Sequence, residues 1–308
     1  MKSLLKVYAL VSLSVMCVAC CNQPAPQSQI EEPDIQHVVM IGMDGLAGHL
    51  VEAADMPTMK QMMAQGAWTL RSRSALPSVS AVNWASAYMG VSTDMHGYLQ
   101  WGSRVPDFEP AEVGENGITP TIFTALRRYD ATKRTSAFFE WDVHACLIDS
   151  VAVSAFYHIP MRDGHSEDLT AAFIEEITQQ KPLFTMAIYD SPDVEGHEFG
   201  WGSPEYMARL TVLDSHIAEI VEATKSAGIY DKTLFILVAD HGGIDKGHGR
   251  TTPEEMNAPL VFFGPGVKQG YEIESAVMRY DLAPTIAHIL GAEAPEVWRG
   301  KALTQIFE

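Results

Sequence analysis

Apolar residues in this chain fall into short unbroken runs separated by stretches with helical spacing. Residues 36–43 (QHVVMIGM), 182–189 and 232–238 (KTLFILV) read as strands buried on both faces. Residues 68–76 alternate as a strand does, 134–140 are extended, and 260–263 form a short strand closed by the turn Gly264-Pro265-Gly266. Helical patterns cover 56–67, 80–89, 120–129, 166–179 with Ser166 as N-cap, 203–227, and 282–290 ended by Gly291. In the longest of these, Leu210, Leu213, Ile217, Ile220 and Val221 lie on one stripe. Strands alternating with helices predict an α/β fold, with a mostly parallel sheet covered by helices on both faces.

The N-terminus departs from this pattern. Residues 1–20 carry Lys2 and Lys6, then an apolar stretch, then small residues before Cys20. That is the layout of a secretory signal. Its Val18-Ala19-Cys20 end resembles a bacterial lipoprotein signal, which implies lipidation of Cys20. The expectation is an exported protein, periplasmic or anchored to the outer membrane by that lipid; an ordinary cleaved signal is the alternative. Residues 21–36, rich in Pro and Gln, are expected to be a flexible tether, and 37–308 a single catalytic domain.

Composition narrows the functions. Hydrophobic residues make up 47% of the chain, which suits a packed globular domain. Removing residues 1–19 takes away two lysines and no acid, so the net charge of −18 becomes −20. So acidic a chain is not expected to bind a nucleic-acid polymer. Cys146 is the only cysteine past the export segment, which excludes a disulfide framework and suggests a buried small hydrophobe.

Candidate chemistry sits where the apolar runs stop. Asp44 follows one strand, Asp190 and Asp193 follow another, and Asp240 and His241 follow a third. In an open α/β sheet the carboxyl ends of strands share one edge, where ligands bind. Asp193 and His197 are four apart, a spacing that can bring both to one metal from a helical turn or a curved loop, and His248 lies seven residues past His241 in a Gly-rich loop. Aspartates and histidines together suit zinc. Asp190 reads as a support behind the ligands or a loop cap, with a direct ligand role as the lesser alternative. Trp101, Trp141, Trp201 and Tyr206 either line a pocket or pack, with packing expected for at least two.

The same residues fall in motifs that resemble the alkaline phosphatase superfamily, above all its type I phosphodiesterase and nucleotide pyrophosphatase branch. The motifs are IGMDG (41–45), MPTMKQMMAQGA (56–67), SAVNWASAYMGVSTDMHGY (80–98), YDSPDVEGHEFGWGSPEY (189–206), VADHGG (238–243), GHGR (247–250), PLVFFGPG (259–266) and DLAPTIAHILG (281–291). They keep the family order and span 37–308. The resemblance implies an alkaline-phosphatase-like three-layer sandwich holding two divalent metal ions, with zinc expected. Asp193, His197 and His248 would hold one. Asp44, Asp240 and His241 would hold the other, which also meets the nucleophile Ser80. Asn83 would donate to a phosphoryl oxygen, and Ser78 is the lesser nucleophile candidate. His96 matches a structural position. This chain has Ser80 where the branch usually has Thr, and Val82 where it has Pro.

The implied activity is hydrolysis of small phosphate esters through a phosphoserine intermediate, as a phosphodiesterase or nucleotide pyrophosphatase. A phosphomonoesterase and a non-catalytic metal-binding lipoprotein are the alternatives; the sulfatase motif is absent. The irregular stretch 99–118 is the one long loop near the site, so an open pocket is expected.

Overall fold

The computed structural model describes residues 34–308. The signal, Cys20 and nearly all of the expected tether lie outside the described residues. The tether expectation is corrected at its end, because residues 34–36 belong to the fold. Asp34 pairs with Lys232 at 3.0 Å, the Gln36 N–H donates to the Lys232 carbonyl at 2.9 Å, and Ile35 packs on the core.

The described strands are β1 (His37–Met43), β2 (Ala67–Arg73), β3 (Thr135–Phe139), β4 (Ala155–His158), β5 (Phe184–Tyr189), β6 (Thr233–Val238), β7 (Asn257–Phe263) and β8 (Tyr271–Glu272). They form one sheet in the order β4-β3-β5-β1-β6-β7-β2-β8. Only β7 runs against its neighbours among these strands. β1 lies at the centre, parallel to β5 on one side and β6 on the other. The strands preceding Asp44, Asp193 and Asp240 are therefore adjacent and point the same way.

Alternation along β1 builds two cores, as strand geometry requires. Val38 and Met40 face one, while Val39, Ile41 and Met43 face the other. The helices are α1 (Pro57–Gln65), α2 (Ser80–Met89), α3 (Thr93–His96), α4 (Ile122–Tyr129), α5 (His144–Leu147), α6 (Glu167–Gln180), α7 (Asp193–Phe199), α8 (Pro204–Ser226), α9 (Pro253–Met256) and α10 (Leu282–Ile289). α2, α4 and α10 bury Trp84, Tyr88, Phe123, Leu126, Leu282 and Ile286 in the first core. α1, α6 and α8 bury Met59, Phe173, Ile177, Leu210, Leu213 and Ile217 in the second. This is the three-layer sandwich that the motifs implied. Truncating one of the buried α8 leucines would cost about 2–5 kcal/mol, so the apolar stripe is a major anchor of that layer.

α8 starts as expected, with the Ser203 side chain accepting from the Tyr206 N–H and Pro204 at its first position. Ser166 does not cap α6 with its side chain. β2 ends at Arg73, short of Leu76, after a bulge between Thr69 and Ser72. β4 was not visible in the sequence because three of its four residues are exposed, leaving no buried apolar run.

Candidate active site

Backbone bonds tie the three central strand ends together. The Asp44 N–H donates to the Tyr189 carbonyl (2.9 Å), the Asp193 N–H to the Asp44 carbonyl (3.0 Å), and the Gly45 N–H to Asp240 Oδ1 (3.1 Å). Gly45 has φ +69°, and a Cβ there would lie 2.7 Å from Asp193 Oδ1, so only glycine fits the turn. Trp201 packs beneath the site against Gly196 and Gly243, where a Cβ would meet its ring at 2.7 and 2.2 Å. Its Nε1–H and the Tyr206 hydroxyl both donate to the Gly45 carbonyl at 2.9 Å. Trp201 and Tyr206 thus take the packing role.

The first turns of α7 place Asp193 and His197 on one face, and the 247–250 loop brings His248 to them. His197 Nε2 lies 3.0 Å from His248 Nε2 and 3.4 Å from Asp193 Oδ2; His248 Nε2 is 3.6 Å from Asp193 Oδ1. A second group joins Asp44, Asp193 and His241, with His241 Nε2 3.4 Å from Asp44 Oδ1. The expected trio of Asp44, Asp240 and His241 meets at the same point, with Asp193 drawn in beside it. Asp240 is adjacent, with Oδ2 3.3 Å from His241 Nε2, but its Oδ1 is occupied by the Gly45 N–H. Asp193 belongs to both groups.

The imidazoles are oriented for ligation. Nδ1 of His197 meets the Lys246 carbonyl (3.1 Å), that of His241 the Gly242 carbonyl (2.8 Å), and that of His248 the Ser78 carbonyl (2.8 Å). A carbonyl only accepts, so these partners assign the proton to Nδ1 and leave the lone pair on Nε2. Two bare Nε2 atoms then face each other in the His197–His248 pair. Asp193 Oδ1 and Asp240 Oδ2 are buried with no hydrogen-bond partner.

Electrostatics point the same way. Burial, then neighbouring carboxylates, hold Asp44 and Asp193 well above the usual range, and burial lifts Asp240 to about 6. Burial depresses His241 and His248 to about 3. Neutral imidazoles and crowded carboxylates with orphaned oxygens fit divalent cations, and the mixed N/O donors suit zinc.

Ser80 opens α2 and is 7% exposed. Its Oγ lies 3.1 Å from His241 Nε2 and 3.4 Å from Asp44 Oδ1. Ser78 does not share this position, since its hydroxyl donates to the Arg250 carbonyl at 2.7 Å. The structure also does not bring Asn83 to the open side. Asn83 is fully buried; its Oδ1 accepts from the Ala75 N–H at 2.7 Å, and its amide faces the carbonyls of Ala75, Pro77 and Val79. It braces the loop that presents Ser80. His96 is buried beside Ser86 Oγ at 3.0 Å, in keeping with a structural position. Cys146 is half-buried, more open than expected.

Three supporting residues were not singled out in the sequence. Trp84 donates from Nε1 to Asp44 Oδ2 at 2.9 Å; its place one helical turn after Ser80 was the available signal. Glu255, buried in α9, accepts from Arg250 Nε (2.9 Å) and the Thr252 hydroxyl (2.7 Å), holding the loop that carries His248. Arg279 is 1% exposed and lies near enough to Asp240 and Asp281 for both to favour its charge, against burial that lowers it to about 10. Nothing in its sequence neighbourhood marks a buried cation.

Asp44, Ser80, Trp101, Trp141, Asp190, Asp193 and Val194 line a recess of about 190 Å³. The irregular stretch after Gly97 supplies Trp101, whose carbonyl accepts the Ala81 N–H at 3.1 Å. Trp101 is 66% exposed, so it forms a rim beside Ser80 and does not roof it.

This sheet, with a serine on an N-terminal helical turn beside an Asp/His cluster at the strand ends, defines a protein of the alkaline phosphatase superfamily. The family model for type I phosphodiesterase / nucleotide pyrophosphatase matches residues 38–260, and the chain belongs to that family. Among curated relatives, GPI ethanolamine phosphate transferase 1 of Chaetomium globosum is 31% identical over 217 residues, 63% of this chain and 22% of that protein. Arylsulfatase K of Bos taurus is 29% identical over 103 residues, 32% of this chain and 19% of that protein. The chain thus spans about a fifth of the length of these relatives. Among solved structures, murine ectonucleotide pyrophosphatase / phosphodiesterase 5, in an inactive form with AMP, superposes with TM-score 0.72 at 14% identity, covering 89% of this chain and all of that one. The phosphonate monoester hydrolase of Silicibacter pomeroyi gives TM-score 0.66 at 17% identity, covering 88% and 76%. These two likenesses establish the fold.

Proposed function

We propose that this protein is a metal-dependent hydrolase of phosphate esters, favouring diesters, with Ser80 as a covalent nucleophile and two divalent cations, zinc by the donor set. The position of Ser80 Oγ carries this reading: 3.1 Å from His241 Nε2 and 3.4 Å from Asp44 Oδ1, beside two ligand groups that share Asp193. Asp193, His197 and His248 would hold one cation. Asp44, Asp193 and His241, with Asp240 beside them, would hold the other. Bound there, divalent cations lower the pKa of hydroxyl and water and neutralise phosphoryl oxygens.

The chain's own residues supply positioning. Trp84 fixes Asp44, the carbonyl of Ser78 orients His248, and Asn83 holds the loop before Ser80. The Ser80 oxygen bonds to phosphorus as the bond to one alcohol breaks, and that alcohol leaves with a proton; water then displaces Ser80, restores its hydroxyl and, from a diester, releases the phosphomonoester of the remaining alcohol. The recess is lined by three carboxylates and no basic side chain. A diester brings one negative charge there and a monoester dianion brings two, which favours the diester over the phosphomonoesterase alternative.

The test supplies zinc to protein purified without chelator and compares bis-p-nitrophenyl phosphate with p-nitrophenyl phosphate. Faster diester turnover is expected, with acid-quenched protein carrying a nitrophenyl phosphoryl group on Ser80. Faster monoester turnover would select the monoesterase, and no turnover of either would select the non-catalytic protein.

Export rests on the layout of residues 1–20, and we propose that Cys20 is lipidated, placing the protein in the periplasm or on the outer membrane. Radiolabelled palmitate should enter the full chain and be lost in Cys20→Ser; equal labelling of both would end this reading.

A further inference from the structure

We propose that Trp84 is a positioning residue for the metal centre: its indole N–H occupies one oxygen of Asp44, so that Asp44 meets the cation beside Ser80 through its other oxygen alone. This rests on the metal-dependent reading of the site and names the residue that sets the geometry on its nucleophile side.

Asp44 divides its two oxygens. Oδ2 accepts from Trp84 Nε1 at 2.9 Å, and Trp84 is its one hydrogen-bond donor among the described residues. Oδ1 is left toward Ser80 Oγ and His241 Nε2, each at 3.4 Å. Asp240 is divided in the same way, with Oδ1 on the Gly45 N–H at 3.1 Å and Oδ2 3.3 Å from His241 Nε2. Two carboxylates beside His241 thus keep one free oxygen each. Asp193 is different: Oδ2 lies 3.4 Å from His197 Nε2 and Oδ1 3.6 Å from His248 Nε2, with no donor on Oδ1.

The division matters because coordination number depends on it. A carboxylate with both oxygens free can grip a cation with both, as calcium sites often show. Zinc takes fewer ligands, commonly four. Holding Asp44 and Asp240 to one oxygen each leaves room around the cation for Ser80 Oγ, which lies 3.1 Å from His241 Nε2. Without the indole N–H, no hydrogen bond from the core would keep Asp44 Oδ2 from turning to the cation as well, crowding the nucleophile.

The core holds the indole in place. Trp84 is fully buried. A Cβ at Gly42 would lie 2.6 Å from its ring, so β1 gives up a side chain two residues before Asp44 to seat it. The ring also stacks on Tyr88, with centroids 5.8 Å apart, and meets His144 edge-on at 5.4 Å. The Tyr88 hydroxyl lies 3.0 Å from His144 Nδ1, which ties those two rings together. An indole confined in this way cannot swing its N–H off Asp44. A purely apolar side chain would fill the same core and donate nothing, whereas a buried indole N–H needs an acceptor, and here the acceptor is a metal ligand.

The experiment reads zinc binding at each position separately, in the full chain stripped of metal. His248→Ala leaves the position beside Ser80, and His241→Ala leaves the other. Into each goes Trp84→benzothienylalanine, which keeps the ring size and puts sulfur in place of the N–H, with Trp84→Phe as a second variant. Zinc affinity, by competition with a chromophoric chelator, should fall about tenfold or more in the His248→Ala protein and stay unchanged in the His241→Ala protein. Cobalt in place of zinc absorbs strongly in the visible when four-coordinate and weakly when more ligands bind. Its absorption in the His248→Ala protein should drop with the same substitution. Tyr88→Phe, a core change one turn along α2, should lower stability to urea without moving either readout. Unchanged zinc affinity with benzothienylalanine, or an equal fall at both positions, overturns the inference and leaves the metal-dependent reading standing. Absence of zinc binding to the wild-type chain ends that reading, and this inference with it.

Discussion

His197 Nε2 and His248 Nε2 stand 3.0 Å apart, each on a ring whose other nitrogen meets a backbone carbonyl. Two lone pairs at that separation repel unless a cation lies between or beside them. Metal binding should therefore stabilise the fold. Zinc at one hundred times its dissociation constant would add about 2.7 kcal/mol. Thermal melts with zinc and with chelator should differ by several degrees, and His248→Ala should shrink the difference. Identical melts in both conditions would rule the site out as a metal centre.

Ser80 and Ser78 have opposite duties. Ser80→Ala should remove at least about a thousandfold of kcat while leaving zinc content unchanged, because the nucleophile is lost and the ligands stay. Ser78→Ala deletes the bond to the Arg250 carbonyl and should cost about 1 kcal/mol of stability with the nucleophile retained. Steady-state kinetics beside urea unfolding distinguishes the two. Loss of kcat on Ser78→Ala with Ser80→Ala active would reverse the assignment.

Asn83 is a brace, so its removal should appear in stability first. Asn83→Ala strands the Ala75 N–H in a buried setting, for about 1–3 kcal/mol. Lower kcat should accompany this as the Ser80 loop loosens. An Asn83→Ala protein with unaltered unfolding and a large fall in kcat would instead return Asn83 to direct contact with substrate.

Glu140 predicts a pH dependence. Burial raises its pKa from 4.5 to about 7. Between these values the unfolded chain releases the proton while the folded chain keeps it. The group's contribution is therefore intact below about pH 4.5, and is lost as pH rises to about 7 and above. Glu140→Gln should be more stable than the parent at pH 8, by up to about 3 kcal/mol, and similar at pH 4. Unfolding midpoints across that range check it; an equal difference at both ends would contradict the shift.

Much of this protein was legible in its sequence because its elements announce themselves locally. β1, β5 and β6 are short apolar runs that end in acids, and a central parallel sheet must bring such ends to one edge. Asp44, Asp193, His197, Asp240, His241, His248 and Ser80 could all be named from that rule and the ordered motifs. What the chain order could not show is how side chains divide their atoms once packed. Asp240 gives one oxygen to the Gly45 N–H and keeps the other free beside His241, while Asp193 stands in both ligand groups. Asn83 turns its amide inward to a loop eight residues earlier. Trp101 reaches the rim through an irregular stretch with no periodicity to read. Trp141 and Asp190 join it there only because β3 and β5 are neighbours in the sheet. The sequence by itself determined the layers and the residues carrying the chemistry, since hydrophobic period and strand ends are local properties. Only the tertiary structure decided which atoms remain free to act, because hydrogen bonding and burial depend on neighbours far away in the chain.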